Sequence, residues 1–256
     1  MQEYIKMLII VCPLIFLAGF IDSIAGGGGL ISLPAYLFAG LPAHYAAGTG
    51  KFSSCCGLAS ASFKYIKEGK VYMAVALWSA LGCVAGAGMG TRLALYFEER
   101  TLRMIMLVAI PIVAVFLLGR KDMGRDVSEP FEMERKKQAL LSFLIGLVVG
   151  MYDGLIGPGA GTFLILGFTG FLGIDLLRAS GCAKVSNMAS NFTSIVLYAS
   201  SGKIMYGIAV PAALCSMLGS YAGARYAVKG GSSKVRKMML IVLVLLFVKL
   251  IYDLIA

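Results

Sequence analysis

Charged side chains are scarce in this sequence. Asp, Glu, Lys and Arg make up 14% of its 256 residues, whereas a soluble globular domain carries about 25%. Hydrophobic residues make up 59% of the chain, compared with about half in soluble domains. These proportions exclude an ordinary soluble domain and indicate a helical bundle that is dissolved in lipid.

Residues that build catalytic and metal sites are few as well. His44 is the only histidine, and we expect it in a turn. All six cysteines fall within apolar runs, without a CxxC pair: Cys12, Cys55, Cys56, Cys83, Cys182 and Cys215. We therefore expect reduced, buried thiols and neither disulfides, a metal nor a cofactor. No Ser/His/Asp or Cys/His set can be assembled, which disfavours an enzyme.

The net charge of +10 raises the question of a nucleic-acid partner. Most of the 23 Lys and Arg residues lie in short polar joints between apolar runs. This distribution is typical of membrane topology signals and not of a DNA-binding face. The sequence therefore predicts the lipid bilayer as a partner, and no nucleic acid.

Long apolar stretches recur along the chain, and a helix needs about 20 apolar residues to cross a bilayer. The stretches lie at about 7 to 24, 30 to 40, 43 to 66, 71 to 96, 102 to 119, 138 to 155, 162 to 172, 176 to 200, 204 to 228 and 235 to 255. We predict an all-α membrane protein with roughly 8 to 10 membrane segments. Its parts are a transmembrane repeat at 1–119, a charged cytoplasmic linker at 120–137 and a second transmembrane repeat at 138–256.

The two halves match at residues that are rare in membranes. At an offset of 131 residues, Gly19, Asp22, Gly26 and Gly28 fall on Gly150, Asp153, Gly157 and Gly159. At an offset of 133 residues, Lys51 falls on Lys184. Shared membrane composition would not align buried Asp and Lys, so we interpret the match as an internal duplication, which is typical of secondary transporters.

The orientation of the halves depends on whether the segment from Met7 to Gly40 folds back on itself. If it does, fifteen Lys and Arg residues share one side of the membrane and six lie on the other. If it crosses once, the two sides are nearly equal. The positive-inside rule therefore favours inverted repeats with a cytoplasmic linker.

A glycine-rich run interrupts each half, Gly26-Gly27-Gly28-Gly29 in the first and Gly157-Pro158-Gly159-Ala160-Gly161 in the second. A stable helix cannot continue through these runs, so the backbone exposes unpaired N–H and C=O groups. The helix after each run begins with free N–H groups and the positive end of its dipole, which favours an anion. Close helix packing is the alternative, and it suits Gly82, Gly86 and Gly90 well.

A lysine lies on the helix that follows each run. Lys51 and Lys184 are expected roughly 12 to 16 Å deep, near Gly29 and Gly161 respectively. A Lys at the bilayer centre costs at least about 2.5 to 3.5 kcal/mol, so it needs a partner. The partner is either Asp22 or Asp153 in a structural ion pair, or an anionic substrate that alternates with that aspartate. Donors on the same helices are Thr49, Ser53, Ser54, Ser186, Asn187 and Asn191.

These motifs resemble the TauE/SafE family of sulfite exporters. The resemblance spans nearly the whole chain and rests on Asp22 to Ala35, Gly48 to Lys51, Tyr152 to Gly161 and Ala183 to Asn191. It implies a multi-pass plasma-membrane protein that exports sulfite, organosulfonates or related small anions and is driven by an ion gradient. The chain departs from the family's pattern at Gly50, where the family carries Asn.

The sequence thus predicts a secondary transporter that binds a small anion at the repeat interface, near mid-bilayer. The predicted substrate-binding residues are Lys51, Lys184, Gly26, Gly27, Gly28, Gly29, Gly157, Gly159, Gly161, Thr49, Ser54, Asn187 and Asn191. Asp22 and Asp153 are predicted to take up protons and so to free the lysines. The alternatives are a passive anion channel and a membrane assembly protein that transports nothing. A homo-oligomer is a further expectation.

Overall fold

The structure is a computed structural model that describes residues 2–102, 104–105 and 134–255. Side chains are described at residue 4 and over 7–102, 104–105 and 134–239. Most of the apolar stretch predicted at 102 to 119, and residues 120–133 of the predicted charged linker, lie outside the described residues.

Eight helices of at least ten residues make up most of the described chain. They are α1 (Gln2–Ala25), α2 (Gly29–Phe38), α3 (Ala43–Lys67), α4 (Met73–Tyr96), α5 (Arg135–Leu155), α6 (Ala160–Leu172), α7 (Leu176–Ser200) and α8 (Tyr206–Ile255). Residues 99–102 are also helical. α8 bends at Gly231, where φ is 65° and ψ is −167°. The described residues contain no strand.

Four helices within the described residues are long and apolar enough to cross a membrane: Met7–Ala25, Met73–Tyr96, Arg135–Leu155 and Tyr206–Met239. Their outward faces expose large apolar side chains such as Trp78, Val148 and Leu218. Helices α3 and α7 have 25 residues each, but they carry more buried polar side chains. The chain is therefore a membrane protein in which apolar helices surround two polar central helices.

Both glycine runs lie at the ends of helical hairpins. In the first hairpin, α2 folds back along α1, and the N–H of Gly28 donates to Asp22 Oδ1 at 3.0 Å. In the second, α6 folds back along α5, and the rings of Tyr152 and Phe163 lie 5.2 Å apart. The two hairpin ends touch, because Thr162 Oγ1 donates to the carbonyl oxygen of Ala25 at 2.9 Å.

Helices α3 and α7 cross in opposite directions. Near one end, the Tyr65 hydroxyl of α3 lies 3.3 Å from Ser180 Oγ of α7. At the middle of both helices, Cys55 Sγ lies 3.8 Å from the carbonyl oxygen of Met188. At the other end, Gly48 packs against the carbonyl of Lys203, which follows α7. The beginning of each central helix therefore lies beside the end of the other.

Glycine allows α4 and α5 to pack backbone to backbone. A Cβ atom at Gly82, Gly86 or Gly90 would overlap the carbonyl oxygens of Phe143, Leu147 and Met151, respectively. On the facing helix, a Cβ atom at Gly146, Gly150 or Gly154 would lie 2.1, 2.7 and 2.6 Å from the backbone of Ser79, Cys83 and Ala87, respectively. These glycines have the packing role that their four-residue spacing predicts.

We expect Gly86→Ala to destabilise the protein, because its methyl group would press against the α5 backbone, and overpacking costs about 1 to 3 kcal/mol. Gly88→Ala on the same helix is the matched control. Its Cβ would meet Thr193 Cγ2 at an ordinary 3.8 Å, and alanine is the better helix former. Thermal unfolding in detergent measures both variants, and equal melting temperatures would contradict this packing argument.

Candidate substrate-binding site

A cavity lies where the two hairpin ends meet the middle of α3 and α7. It has a volume of about 60 Å³, which is room for a few waters or one small ion, because one water needs about 10 to 15 Å³. Its lining includes many of the predicted site residues: Asp22, Gly26, Gly29, Lys51, Ser54, Asp153, Gly157, Gly159, Gly161, Asn187 and Asn191.

Left-handed glycines shape the hairpin ends on both sides of this cavity. Gly26 has φ 83° and Gly157 has φ 93°, and residues that carry a side chain rarely adopt this backbone conformation. A Cβ atom at Gly26 would also overlap the backbone of Gly161. Glycine is therefore required both for the turns and for the contact between the two hairpins.

Lys51 joins α3 to the end of α5. Its Nζ lies 2.8 Å from Asp153 Oδ1 and donates to the Asp153 carbonyl oxygen at 2.7 Å. The second carboxylate oxygen of Asp153 accepts a 2.5 Å hydrogen bond from Ser190. Lys51 is 9% exposed and Asp153 is 4% exposed. The ion pair is therefore almost completely buried and borders the cavity.

Lys184 makes the corresponding contact in the opposite direction, but without the carboxylate. Its Nζ donates to the carbonyl oxygen of Asp22 at 2.5 Å, and the side chain is fully buried. No carboxylate oxygen of the described residues lies within ion-pair distance of it. Lys51 thus caps the C-terminal end of α5, and Lys184 caps the C-terminal end of α1. A positive charge is favourable at the C-terminal end of a helix.

Three backbone N–H groups add positive potential to the cavity. Gly29, Gly159 and Gly161 all line it, and their N–H groups have no acceptor among the described residues. They lie at the N-terminal ends of α2 and α6. Helix N-termini with free N–H groups are suited to binding an anion.

The polar side chains of α3 and α7 divide into two groups. Ser54, Asn187 and Asn191 line the cavity, and Asn191 Nδ2 donates to Asn187 Oδ1 at 3.1 Å. Thr49, Ser53 and Ser186 do not line it. Thr49 accepts from the N–H of Met205, Ser53 bonds Tyr36, and Ser186 donates to Cys182.

The remaining predicted residues lie beside the cavity but do not line it. Lys184 contacts the backbone carbonyl of Asp22, and Gly28 borders a smaller neighbouring cavity. The carbonyl oxygen of Gly27 accepts a hydrogen bond from the N–H of Leu30. Sequence reasoning did not identify Ser32 and Tyr198, which line the main cavity. The match of Tyr198 with Tyr65 at the offset of 133 residues was an available signal.

The described residues contain no group of three His, Cys, Asp or Glu side chains that could hold a metal. His44 does not lie in the expected turn. It belongs to the first turn of α3, where its side chain is buried and its Nε2 lies 3.1 Å from the carbonyl oxygen of Phe97. It therefore makes a polar contact with the segment after α4.

Comparison with known families places this arrangement in context. Residues 11–250 match the family described as "Sulfite exporter TauE/SafE". The chain belongs to the TauE/SafE family. This membership indicates a membrane transporter rather than an enzyme, and it implies a small-molecule substrate and a lipid environment.

Several named relatives of this TauE/SafE protein are bacterial. It is 33% identical to the probable membrane transporter protein ORF9 of Sinorhizobium sp. over 93% of this chain and 90% of the relative. It is 31% identical to the probable membrane transporter protein YfcA of Escherichia coli strain K12 over 98% and 95%. A probable membrane transporter protein of Haemophilus influenzae is 32% identical over 93% and 92%. No solved structure matches.

Proposed function

We propose that this TauE/SafE protein is a proton-coupled secondary transporter that exports a small oxyanion, such as sulfite or an organosulfonate, across the plasma membrane. The observation that carries the proposal is the cavity that brings Lys51 together with both glycine runs. An ammonium group and several free N–H groups converge there in a nearly dry site, where charge interactions are stronger than in water.

The proposed site accounts for the chemistry of an oxyanion. Lys51 supplies the full positive charge, and Gly29, Gly159 and Gly161 supply backbone donors. Ser54 and Asn187 supply side-chain donors at matching positions of the two central helices. Oxyanions have several acceptor oxygens, which donors that converge from different sides can bind together.

We further propose that the two halves are inverted repeats with the substrate site at their interface. The opposite directions of α3 and α7 and the two folded-back hairpins support this arrangement. Basic residues at Lys64 to Lys70, Arg135 to Lys137 and Arg178 also lie toward the same end of the bundle, because Tyr65 contacts Ser180 and α4 runs parallel to α5. Under the positive-inside rule that end would be cytoplasmic.

Proton coupling is proposed for Asp153 more strongly than for Asp22. Only Asp153 binds a lysine through its carboxylate, so a proton on Asp153 would release Lys51 to an anion. Lys184 binds the backbone carbonyl of Asp22, and protonation of the Asp22 side chain leaves that carbonyl unchanged. The coupling step therefore exchanges the Asp153 carboxylate for the substrate at Lys51.

This exchange has a definite thermodynamic consequence, because proton and anion occupy the protein together and travel in the same direction. A dianion with one proton carries a net charge of −1, and the membrane potential favours its export by about 2.3 kcal/mol per 100 mV. Exporting the proton against a gradient of one pH unit costs about 1.4 kcal/mol. The mechanism therefore suits export of a doubly charged oxyanion better than that of a singly charged one.

Anion binding is tested by thermal unfolding of the detergent-purified protein with sulfite, sulfate, thiosulfate, sulfoacetate and chloride. A substrate at 100 times its dissociation constant should stabilise the protein by about 2.7 kcal/mol. We expect a selective shift that Lys51→Ala abolishes. Lys67→Ala is the matched control, because Lys67 lies on the same helix with an exposed side chain.

The results separate the candidate functions. If none of the anions shifts the unfolding temperature, the lysines act as structural caps and the proposal is wrong. A flux into vesicles that does not saturate and ignores the pH gradient would instead indicate a passive channel.

A further inference from the structure

A second, smaller cavity lies beside the first, between α1, α2, α3 and α8. Its volume is about 10 Å³, which is about the space of one water or one small ion. Besides Asp22, four serine side chains line it: Ser32, Ser54, Ser216 and Ser220. We call this space the serine chamber.

The carboxylate of Asp22 has an oxygen without a partner in the described part of the chain. Oδ1 accepts the N–H of Gly28, but Oδ2 has no hydrogen bond or ion pair there. Both carboxylate oxygens of Asp153, its counterpart, have a partner, because Lys51 binds Oδ1 and Ser190 binds Oδ2. The difference lies in the sequence, since the position that matches Ser190 in the first half is Gly57.

The hydroxyl groups of the serine chamber are also underused. Ser220 donates to the carbonyl oxygen of Gly19 at 3.2 Å, whereas the hydroxyls of Ser32, Ser54 and Ser216 have no partner among the described residues. Ser216 and Ser220 match Cys83 and Ala87 in the other half. The corresponding helix pair thus packs with a thiol and a methyl group, so packing alone does not require hydroxyls.

These groups together have the chemistry of a site for a small hard cation. Carboxylate, hydroxyl and carbonyl oxygens are the ligands that such cations prefer. Gly57 leaves room for two of these hydroxyls, because a Cβ atom there would overlap Ser216 Oγ and lie 2.7 Å from Ser220 Oγ. Lys184, the nearby cation, attracts the Asp22 carboxylate by charge but donates its hydrogen bond to the backbone carbonyl of Asp22 and not to the carboxylate.

We propose that the serine chamber binds one Na⁺ ion through Asp22 and the hydroxyls of Ser32, Ser54, Ser216 and Ser220. The chamber shares Asp22, Ser32 and Ser54 with the main cavity. A bound Na⁺ therefore places positive charge beside the anion, and each ion strengthens the binding of the other. Binding of Na⁺ stands on the chamber alone, whereas its cooperation with an anion rests on the proposed function.

The test measures thermal unfolding of the purified protein while NaCl replaces choline chloride or KCl at constant ionic strength. We expect a saturable shift with Na⁺ and none with K⁺ or choline. Ser216→Ala/Ser220→Ala should weaken Na⁺ binding at least tenfold. Ser60→Ala should not, because that hydroxyl bonds Met217 at the same helix interface, outside the chamber.

A second measurement needs no variant. Radioactive Na⁺ should bind the wild-type protein and be displaced by unlabelled Na⁺ but not by K⁺. A chamber that holds only water would give neither binding nor a Na⁺-specific shift, and the proposal would be overturned. An unchanged Na⁺ affinity in the double serine variant would overturn it as well.

Sulfite added in choline buffer distinguishes this proposal from the proposed function. If sulfite stabilises the protein but Na⁺ does not, the chamber assignment fails and the anion site stands. If Na⁺ stabilises the protein but no anion does, the transport proposal fails and the cation site stands.

Discussion

Asp153→Asn is expected to abolish the response of anion transport to a pH gradient. The amide cannot take up a proton, so the exchange between the carboxylate and the anion at Lys51 is lost. Anion binding itself should persist or become tighter, because Lys51 no longer has a competing carboxylate. In proteoliposomes with an imposed pH gradient we expect the gradient-dependent flux to fall at least tenfold. Thermal shifts with the same anion measure its binding in parallel.

Asp22→Asn is the matched control for this experiment, because it makes the same change at the equivalent position of the other half. Lys184 binds the carbonyl of Asp22 and not its side chain, so the response to the pH gradient should remain in Na⁺-free buffer, where the proposed Na⁺ site is empty in both variants. A wild-type response of Asp153→Asn would refute the coupling role of Asp153. Loss of the pH response in Asp22→Asn alone would assign coupling to the first half instead.

The helices could be predicted from the sequence because apolar length and glycine punctuation act locally. The stretch predicted at 176 to 200 coincides with α7, and the runs at Gly26 and Gly157 separate α1 from α2 and α5 from α6. The bend at Gly231 falls in the polar joint between the stretches predicted at 204 to 228 and 235 to 255.

The candidate site could be predicted only in part, because tertiary contacts decide the rest. The motifs gave Lys51, Asp153 and the glycine runs, which line one cavity in the structure. They left open which aspartate partners which lysine, and the antiparallel crossing of α3 and α7 pairs each lysine with the other half. The sequence did not point to Ser190, because the matching position in the first half is Gly57, and comparing the halves reveals only positions where both have the same residue.

The match between the two halves does not show how differently their aspartates are bonded. Asp22 and Asp153 match by position, yet one carboxylate has a lysine and a serine as partners and the other has only the N–H of Gly28. Two aspartates at matching positions of the sequence therefore have different surroundings in the structure. The two surroundings differ at small residues nearby: Gly57 in the first half matches Ser190 in the second, and Cys83 matches Ser216.

Breaking the buried ion pair should cause the largest loss of stability. Asp153→Ala leaves Lys51 as a nearly dry charge without a carboxylate, which typically costs about 3 to 5 kcal/mol. The double variant Lys51→Met/Asp153→Leu removes both charges and should recover most of this loss, because apolar replacement of a buried pair is often neutral. Unfolding in detergent measures both variants. Removing Glu68 from the exposed Lys64–Glu68 pair of α3 should have a far smaller effect.

Added anion decides what the buried pair is for. If Lys51 binds substrate, sulfite should occupy the place of the lost carboxylate and stabilise Asp153→Ala more strongly than the wild type. The double variant should not respond, since it has no ammonium group to bind the anion. If sulfite fails to rescue Asp153→Ala while the double variant is stable, Lys51 serves as a structural cap on α5. The site would then have to be sought among the backbone donors of the two hairpin ends.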